Sequence, residues 1–131
     1  MAVGAIVIKE NKILLIKRNK EPGKGKWAIP GGSLKLGETL QEATEREVRE
    51  ETGLTIKAKE PVYTFDLIER DHQGQIRFHY VIVDLMAEMI GGELRPSDDV
   101  VDARWLPPED VESVGVTENT MEFLRKIRFI R

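Results

Sequence analysis

Four glutamates crowd one short stretch, Glu45-Arg46-Glu47-Val48-Arg49-Glu50-Glu51, and their spacing decides what they can do. The stretch sits in a segment, 39–52, that reads as a helix. Thr39 and Glu42 form a Thr-x-x-Glu capping box, and Gly53 stands where a left-handed cap would end it. With Leu40 at zero and about 100° per residue, Leu40, Ala43, Thr44 and Val48 define the core-facing side. Glu47 then falls at about 340° and Glu51 at about 20°, inside that side, with Glu50 at its margin near about 280°. Glu42, Glu45, Arg46 and Arg49 already supply the solvent-facing charges.

Two like charges one turn apart and partly buried repel each other and lose hydration. A hard divalent cation is the economical compensation, and magnesium suits carboxylate oxygens and substrate phosphate together. Gly31 and Gly32, just before the helix, let backbone groups approach a ligand without a Cβ in the way.

The remaining elements must position that helix. Residues 2–18 read as a hairpin, two apolar strands around Glu10-Asn11-Lys12, followed by a polar loop over 19–26. Trp27 to Pro30 is a short extended piece, and Gly31-Gly32 opens a second loop. Residues 55–69 and 75–88 are β-rich and joined by a turn at Asp71-His72-Gln73-Gly74. Gly91-Gly92 marks another turn, 95–99 a polar loop and 103–106 a short strand that Pro107-Pro108 stops. Asn119 with Glu122 is expected to cap a last helix whose apolar stripe runs from Met121 to Ile130. The pattern is α/β, an α/β/α sandwich around a mixed sheet, in one domain over 1–131.

Composition narrows the chemistry. The 131 residues carry 20 Lys and Arg against 23 Asp and Glu, a net charge of −3, so a general nucleic-acid or membrane-surface binder is not expected. There is no cysteine, which excludes a disulfide scaffold, a thiolate metal site and a cysteine nucleophile. His72 and His79 are the two histidines, one in a turn and one on a strand, too few for a histidine metal site. No apolar stretch is long enough to span a bilayer and no export leader is visible, so the expected location is cytoplasmic.

Gly32, five residues, Glu38, seven residues, then Arg46-Glu47-Val48-Arg49-Glu50-Glu51-Thr52-Gly53-Leu54 resembles the Nudix box at every defined position. The resemblance to Nudix hydrolases implies the Nudix fold and magnesium-dependent hydrolysis of a nucleoside diphosphate linked to another group, with manganese as a substitute ion. By the same resemblance Glu47, Glu50, Glu51 and the Gly31 carbonyl would hold the metals. Arg46 would orient a neighbouring glutamate, and Glu38 would support the substrate loop beside Gly32. The general base would be Glu47 or come from a later loop bearing Glu93, Asp98 and Asp99. Arg18 resembles a phosphate-contacting arginine, with Lys24 and Lys26 at the same entrance.

Nucleobase stacking would come from Tyr63, Phe65, Phe78 or Tyr80, with Phe65 and Tyr80 taken as the substrate-binding pair. Trp27 and Trp105 read as core or edge packing. The segment 63–83 is similar to small microbial ADP-ribose pyrophosphatases, although Glu69 and Arg70 stand near where many of these carry a proline. Its substrate would be ADP-ribose or a related nucleoside diphosphate sugar, cleaved to AMP and ribose 5-phosphate in the first case. A nucleoside triphosphate pyrophosphohydrolase is the alternative, and a non-catalytic nucleotide-sensing module a third. The intact box argues against the last. Many relatives are dimers, so a homodimer is expected.

Overall fold

A computed structural model describes residues 1–21, 23–97 and 100–130. The chain runs β1 (Ala2–Lys9), β2 (Lys12–Arg18), β3 (Trp27–Ala28), β4 (Gly31–Ser33), α1 (Leu40–Thr52), β5 (Leu54–Arg70), β6 (Ile76–Gly92), β7 (Val100–Leu106), α2 (Pro108–Val111) and α3 (Glu118–Lys126). The sheet order is β3-β2-β1-β6-β5, with β4 on β1 and β7 on β2. β1 runs parallel to β6 while the other pairings are antiparallel, so the sheet is mixed as expected.

The opening hairpin turns through Glu10 and Asn11, both at positive φ, the backbone of a tight two-residue turn. One edge of β1 is shared. Its start pairs with β4 (Gly4 opposite Gly31), and its end pairs with β2 (Ile8 opposite Ile13). This divergence seats Gly31 and Gly32 beside the first residues of β1. They form a short strand rather than the expected loop, because β1 offers ladder partners there and neither residue has a side chain to obstruct them.

Alternation along β1 feeds two cores. Ala5 and Val7 pack with Val48 of α1, Leu14 and Ile56 on one face. Ile6 packs with Leu15, Trp27, Phe123 and Leu124 on the other, which α3 covers. Helices therefore lie on both faces of the sheet, the layering expected above. Trp27 is core and Trp105 packs against the α1 side, also as expected.

Three further local expectations change. Gly91-Gly92 closes β6 opposite Leu54 and Thr55 instead of making a turn, since the β5–β6 ladder continues to the end of α1. Pro108 stops β7 but also starts α2, where its missing N–H costs nothing. The last helix starts earlier than Asn119. Its N-cap is Thr117, whose N–H donates to the Trp27 carbonyl at 2.8 Å, so pairing to β3 sets where the helix begins. Asn119 lies inside the first turn.

Candidate active site

α1 forms as its sequence dictates. The Thr39 hydroxyl accepts from the Glu42 N–H at 3.0 Å and Glu42 reciprocates on the Thr39 N–H at 2.9 Å. Gly53 adopts φ 79° and donates its N–H to the Arg49 carbonyl, which few other residues do without strain. Ala43, Thr44, Val48 and Thr52 are buried. Glu45, assigned to the solvated side, instead accepts the Ala58 N–H at 2.9 Å, where the β5–β6 register shifts.

Glu51 and Glu47 reach from α1 over the edge of the sheet. The Gly31 N–H donates to Glu51 Oε1 at 2.8 Å. A Cβ built on Gly32 would stand 2.5 Å from Glu47 Oε2, so the absent side chain is what admits that carboxylate. The two acids therefore lie over consecutive residues of β4. Burial pushes the Glu51 carboxyl up to about 7; the Gly31 N–H opposes the rise and the like charge of Glu47 adds to it.

Arg46 ties the rest together. Its Nε and Nη2 grip Glu38 as a fork at 2.6 and 2.9 Å. Nη1 donates to Glu47 Oε1 at 2.8 Å and to Glu50 Oε2 at 3.2 Å, and Nη2 also donates to the Ser33 carbonyl at 2.9 Å. The hydrogen bonds from Arg46, helped by the Lys35 N–H, hold the Glu38 carboxyl down to about 2. Glu38 does not itself line the cleft; it bonds Arg46 and the Lys35 N–H, which do, and so supports the loop from behind.

A cleft of about 980 Å³ runs from these acids across the sheet to the start of α3. Of the residues singled out in the sequence, Gly31, Gly32, Arg46, Glu47, Glu50, Glu51, Arg18, Phe65, Tyr80 and Lys26 line it. Lys24 and Phe78 do not. Phe78 stacks beside Tyr80 with ring centroids 6.1 Å apart, and Tyr63 packs on Phe123 at 5.0 Å in the core. His79 pairs with Asp66 at 3.0 Å on the exposed face of the hairpin, away from the cleft.

Glu93 lies apart from the cleft lining. Its side chain is 74% exposed and bonded to Arg95, where the chain leaves β6 beside the C-terminal end of α1. Asp98 and Asp99 lie outside the described residues. The loop before them is held at the helix end, where the Ser97 N–H donates to the Glu51 carbonyl at 3.1 Å.

Residue patterns gave no warning of Lys20 or Lys35, nor of the first turn of α3, all of which line the cleft. Asp84 also went unassigned. A single acid inside the apolar run Val81-Ile82-Val83-Asp84-Leu85 was its available signal.

Among the described residues no three carboxylate or imidazole groups converge as a finished cation cage. The donors still fit a hard divalent ion. Glu51 is bonded to one backbone N–H, and Arg46 takes one oxygen each of Glu47 (15% exposed) and Glu50 (52% exposed). Each of those carboxylates keeps its other oxygen for a second partner, and Glu50 is exposed enough to swing.

A family model for the NUDIX domain matches residues 1–127, and the chain belongs to that family. It is 43% identical over 105 residues to the ADP-ribose pyrophosphatase of Methanocaldococcus jannaschii, covering 80% of this chain and 60% of that protein. It is 35% identical over 102 residues to the 8-oxo-dGDP phosphatase NUDT18 of Mus musculus, covering 75% of this chain and 29% of that one. The chain thus spans less than two thirds of the length of either relative. A crystal structure of a MutT NUDIX hydrolase from Burkholderia pseudomallei is similar at TM-score 0.75 and 28% identity, covering 96% of this chain and 95% of that one. The fold and family expected from the box are therefore those found.

The raised carboxyls have a consequence for stability. Folding keeps protons on Glu51 and Asp84 that the unfolded chain releases between their ordinary values, 4.5 and 3.8, and about 7. Stability should fall as pH rises through that window and level off above it. Glu38 works the other way, contributing above its ordinary 4.5 and losing that contribution as pH falls toward about 2. A cation needs the ionised carboxylate, so saturating magnesium should raise the melting temperature more at about pH 8 than at about pH 5. Calorimetry at the two pH values checks this. An equal or smaller rise at the higher pH would take Glu51 out of the ligand set.

Proposed function

We propose that the chain is a divalent-metal-dependent hydrolase of the pyrophosphate bond in a nucleoside diphosphate joined to a second group, with ADP-ribose the first substrate to test. The observation that carries this is the pair of acids, Glu47 and Glu51, laid over Gly31 and Gly32 at the mouth of a cleft with an aromatic wall. Glu51, Glu47 and Glu50, with the Gly31 carbonyl, would hold magnesium or manganese. When bound, the ion neutralises phosphate charge and lowers the pKa of a water.

The side chains do the rest. Arg46 fixes the rotamers of Glu47 and Glu50, so their free oxygens are presented in one geometry. Arg18, Lys20 and Lys26 supply positive charge around the entrance, which favours a polyanionic substrate. Glu47, beside the cleft and oriented by Arg46, is placed to accept the proton of the attacking water. Phe65 and Tyr80 offer flat faces to a base or sugar.

The similarity to an ADP-ribose pyrophosphatase supports that substrate, and the similarity to an 8-oxo-dGDP phosphatase supports a nucleotide-clearing alternative. A panel of ADP-ribose, nucleoside diphosphate sugars, nucleoside triphosphates and their oxidised forms separates the two. ADP-ribose should give AMP and ribose 5-phosphate, resolved by chromatography, with oxygen-18 water marking the attacked phosphorus. Nucleotide binding with no turnover on the whole panel, under magnesium or manganese, would make the chain a sensing module instead.

A further inference from the structure

One buried acid in the cleft takes no part in the chemistry above. Asp84 lies on the face of β6 that also carries Tyr80 and Ile82, yet it is 4% exposed and its Oδ1 has no hydrogen-bond partner among the described residues. Asp84 nevertheless lines the cleft, with Ile29, Ile82 and Gly4 around it. Gly4 stands opposite it across the β1–β6 ladder. A Cβ built on Gly4 would lie 2.5 Å from Asp84 Oδ1 and 2.8 Å from Ile29 Cδ1, so the missing side chain is what leaves the carboxylate room in the floor. Burial raises the Asp84 carboxyl to about 7. An acceptor without a donor in an apolar floor is costly, and a valine or leucine would pack there at lower cost. The arrangement makes sense if a ligand brings the donor.

Position says which part of a ligand. Gly4 pairs with Gly31 on one side and with Asp84 on the other. Two strand spacings, about 10 Å, therefore separate Asp84 from the residues under Glu47 and Glu51. That is the reach of a nucleoside monophosphate from its phosphorus to the far edge of its base. Ile29, Ile82 and Tyr80 line the cleft on the same side as Asp84, a surface that suits a base.

We propose that Asp84 reads the nucleobase, its Oδ1 accepting a hydrogen bond from the exocyclic amino group of adenine. This rests on the pyrophosphate being held at Glu47 and Glu51. A site built to pair with an amino group rejects the analogue lacking it, because the buried acceptor is then left bare.

The test is calorimetric binding of AMP and of purine riboside 5′-monophosphate, which lacks only the amino group, to the wild type, Asp84→Asn and Asp84→Leu. The wild type should prefer AMP by at least about 10-fold. Asp84→Asn, whose carbonyl still accepts, should keep the preference, and Asp84→Leu should bind both ligands within about 2-fold. Failure of the wild type to bind AMP, equal binding of the two ligands by it, or a preference that survives in Asp84→Leu would each overturn the proposal. So would a preference that vanishes with 2′- or 3′-deoxy-AMP instead, since the carboxylate would then be serving the sugar.

ADP-ribose turnover is measured alongside. A wild type that discriminates the amino group but hydrolyses nothing keeps the base reader and loses the pyrophosphatase. Turnover with an unchanged AMP preference in Asp84→Leu does the reverse.

Discussion

Glu51→Gln should lower kcat by at least about 10²-fold and leave the fold intact. Glutamine is nearly isosteric and its carbonyl oxygen can still accept the Gly31 N–H, so the link between α1 and β4 survives. What is lost is the negative charge. In the folded protein that charge is a liability, because burial and the neighbouring Glu47 push the carboxyl up to about 7. The metal-free variant should therefore melt no lower than the wild type at about pH 8, where the wild type carries the unfavourable charge. The same substitution should abolish most of the magnesium-induced rise in melting temperature. A stabilised but inactive variant is the signature of a residue kept for chemistry against its cost to the fold. Turnover like that of the wild type, measured under saturating magnesium with ADP-ribose or the panel's best substrate, would remove Glu51 from the site.

The helix was legible because its phase is rigid. At 3.6 residues per turn, the positions of Leu40, Ala43 and Val48 fix where Glu47 and Glu51 point, and capping chemistry fixes its ends. Glu45 was misread because the same phase cannot foresee a strand bulge at Ala58 whose free N–H needs an acceptor. Gly31 and Gly32 became a strand through pairing with β1, a partner nearly 30 residues away, and local turn chemistry carries no trace of it. Asn119 and Thr117 are both good caps, and only the bond to the Trp27 carbonyl chooses between them. Glu93 follows β6 directly, and the length of that strand, which local sequence does not fix, sets where its side chain emerges. The setting of Asp84 was not legible because the void that Gly4 leaves beside it exists only once β1 and β6 are paired.

Arg46→Lys should cost about 10- to 100-fold in activity, nearly as much as Arg46→Ala, although it preserves the charge. The reason is geometric. Arg46 serves Glu38, Glu47, Glu50 and the Ser33 carbonyl at once, and only a planar guanidinium can fork onto Glu38 while reaching α1 with its other arm. An ammonium offers one point of charge. It can satisfy Glu38 or Glu47, and whichever it leaves becomes free to rotate. The loop that Glu38 closes also carries the Lys35 N–H contact at 2.8 Å, so both variants should loosen the lead into α1 and lower the melting temperature by about 5 °C or more. Activity and stability thus fall together here, the opposite of the Glu51→Gln pattern. The pair of variants separates a residue that orients the acids from one that holds the ion. Should Arg46→Lys retain full activity, orientation of Glu47 and Glu50 through that fork would contribute nothing to turnover, and charge alone would account for the residue.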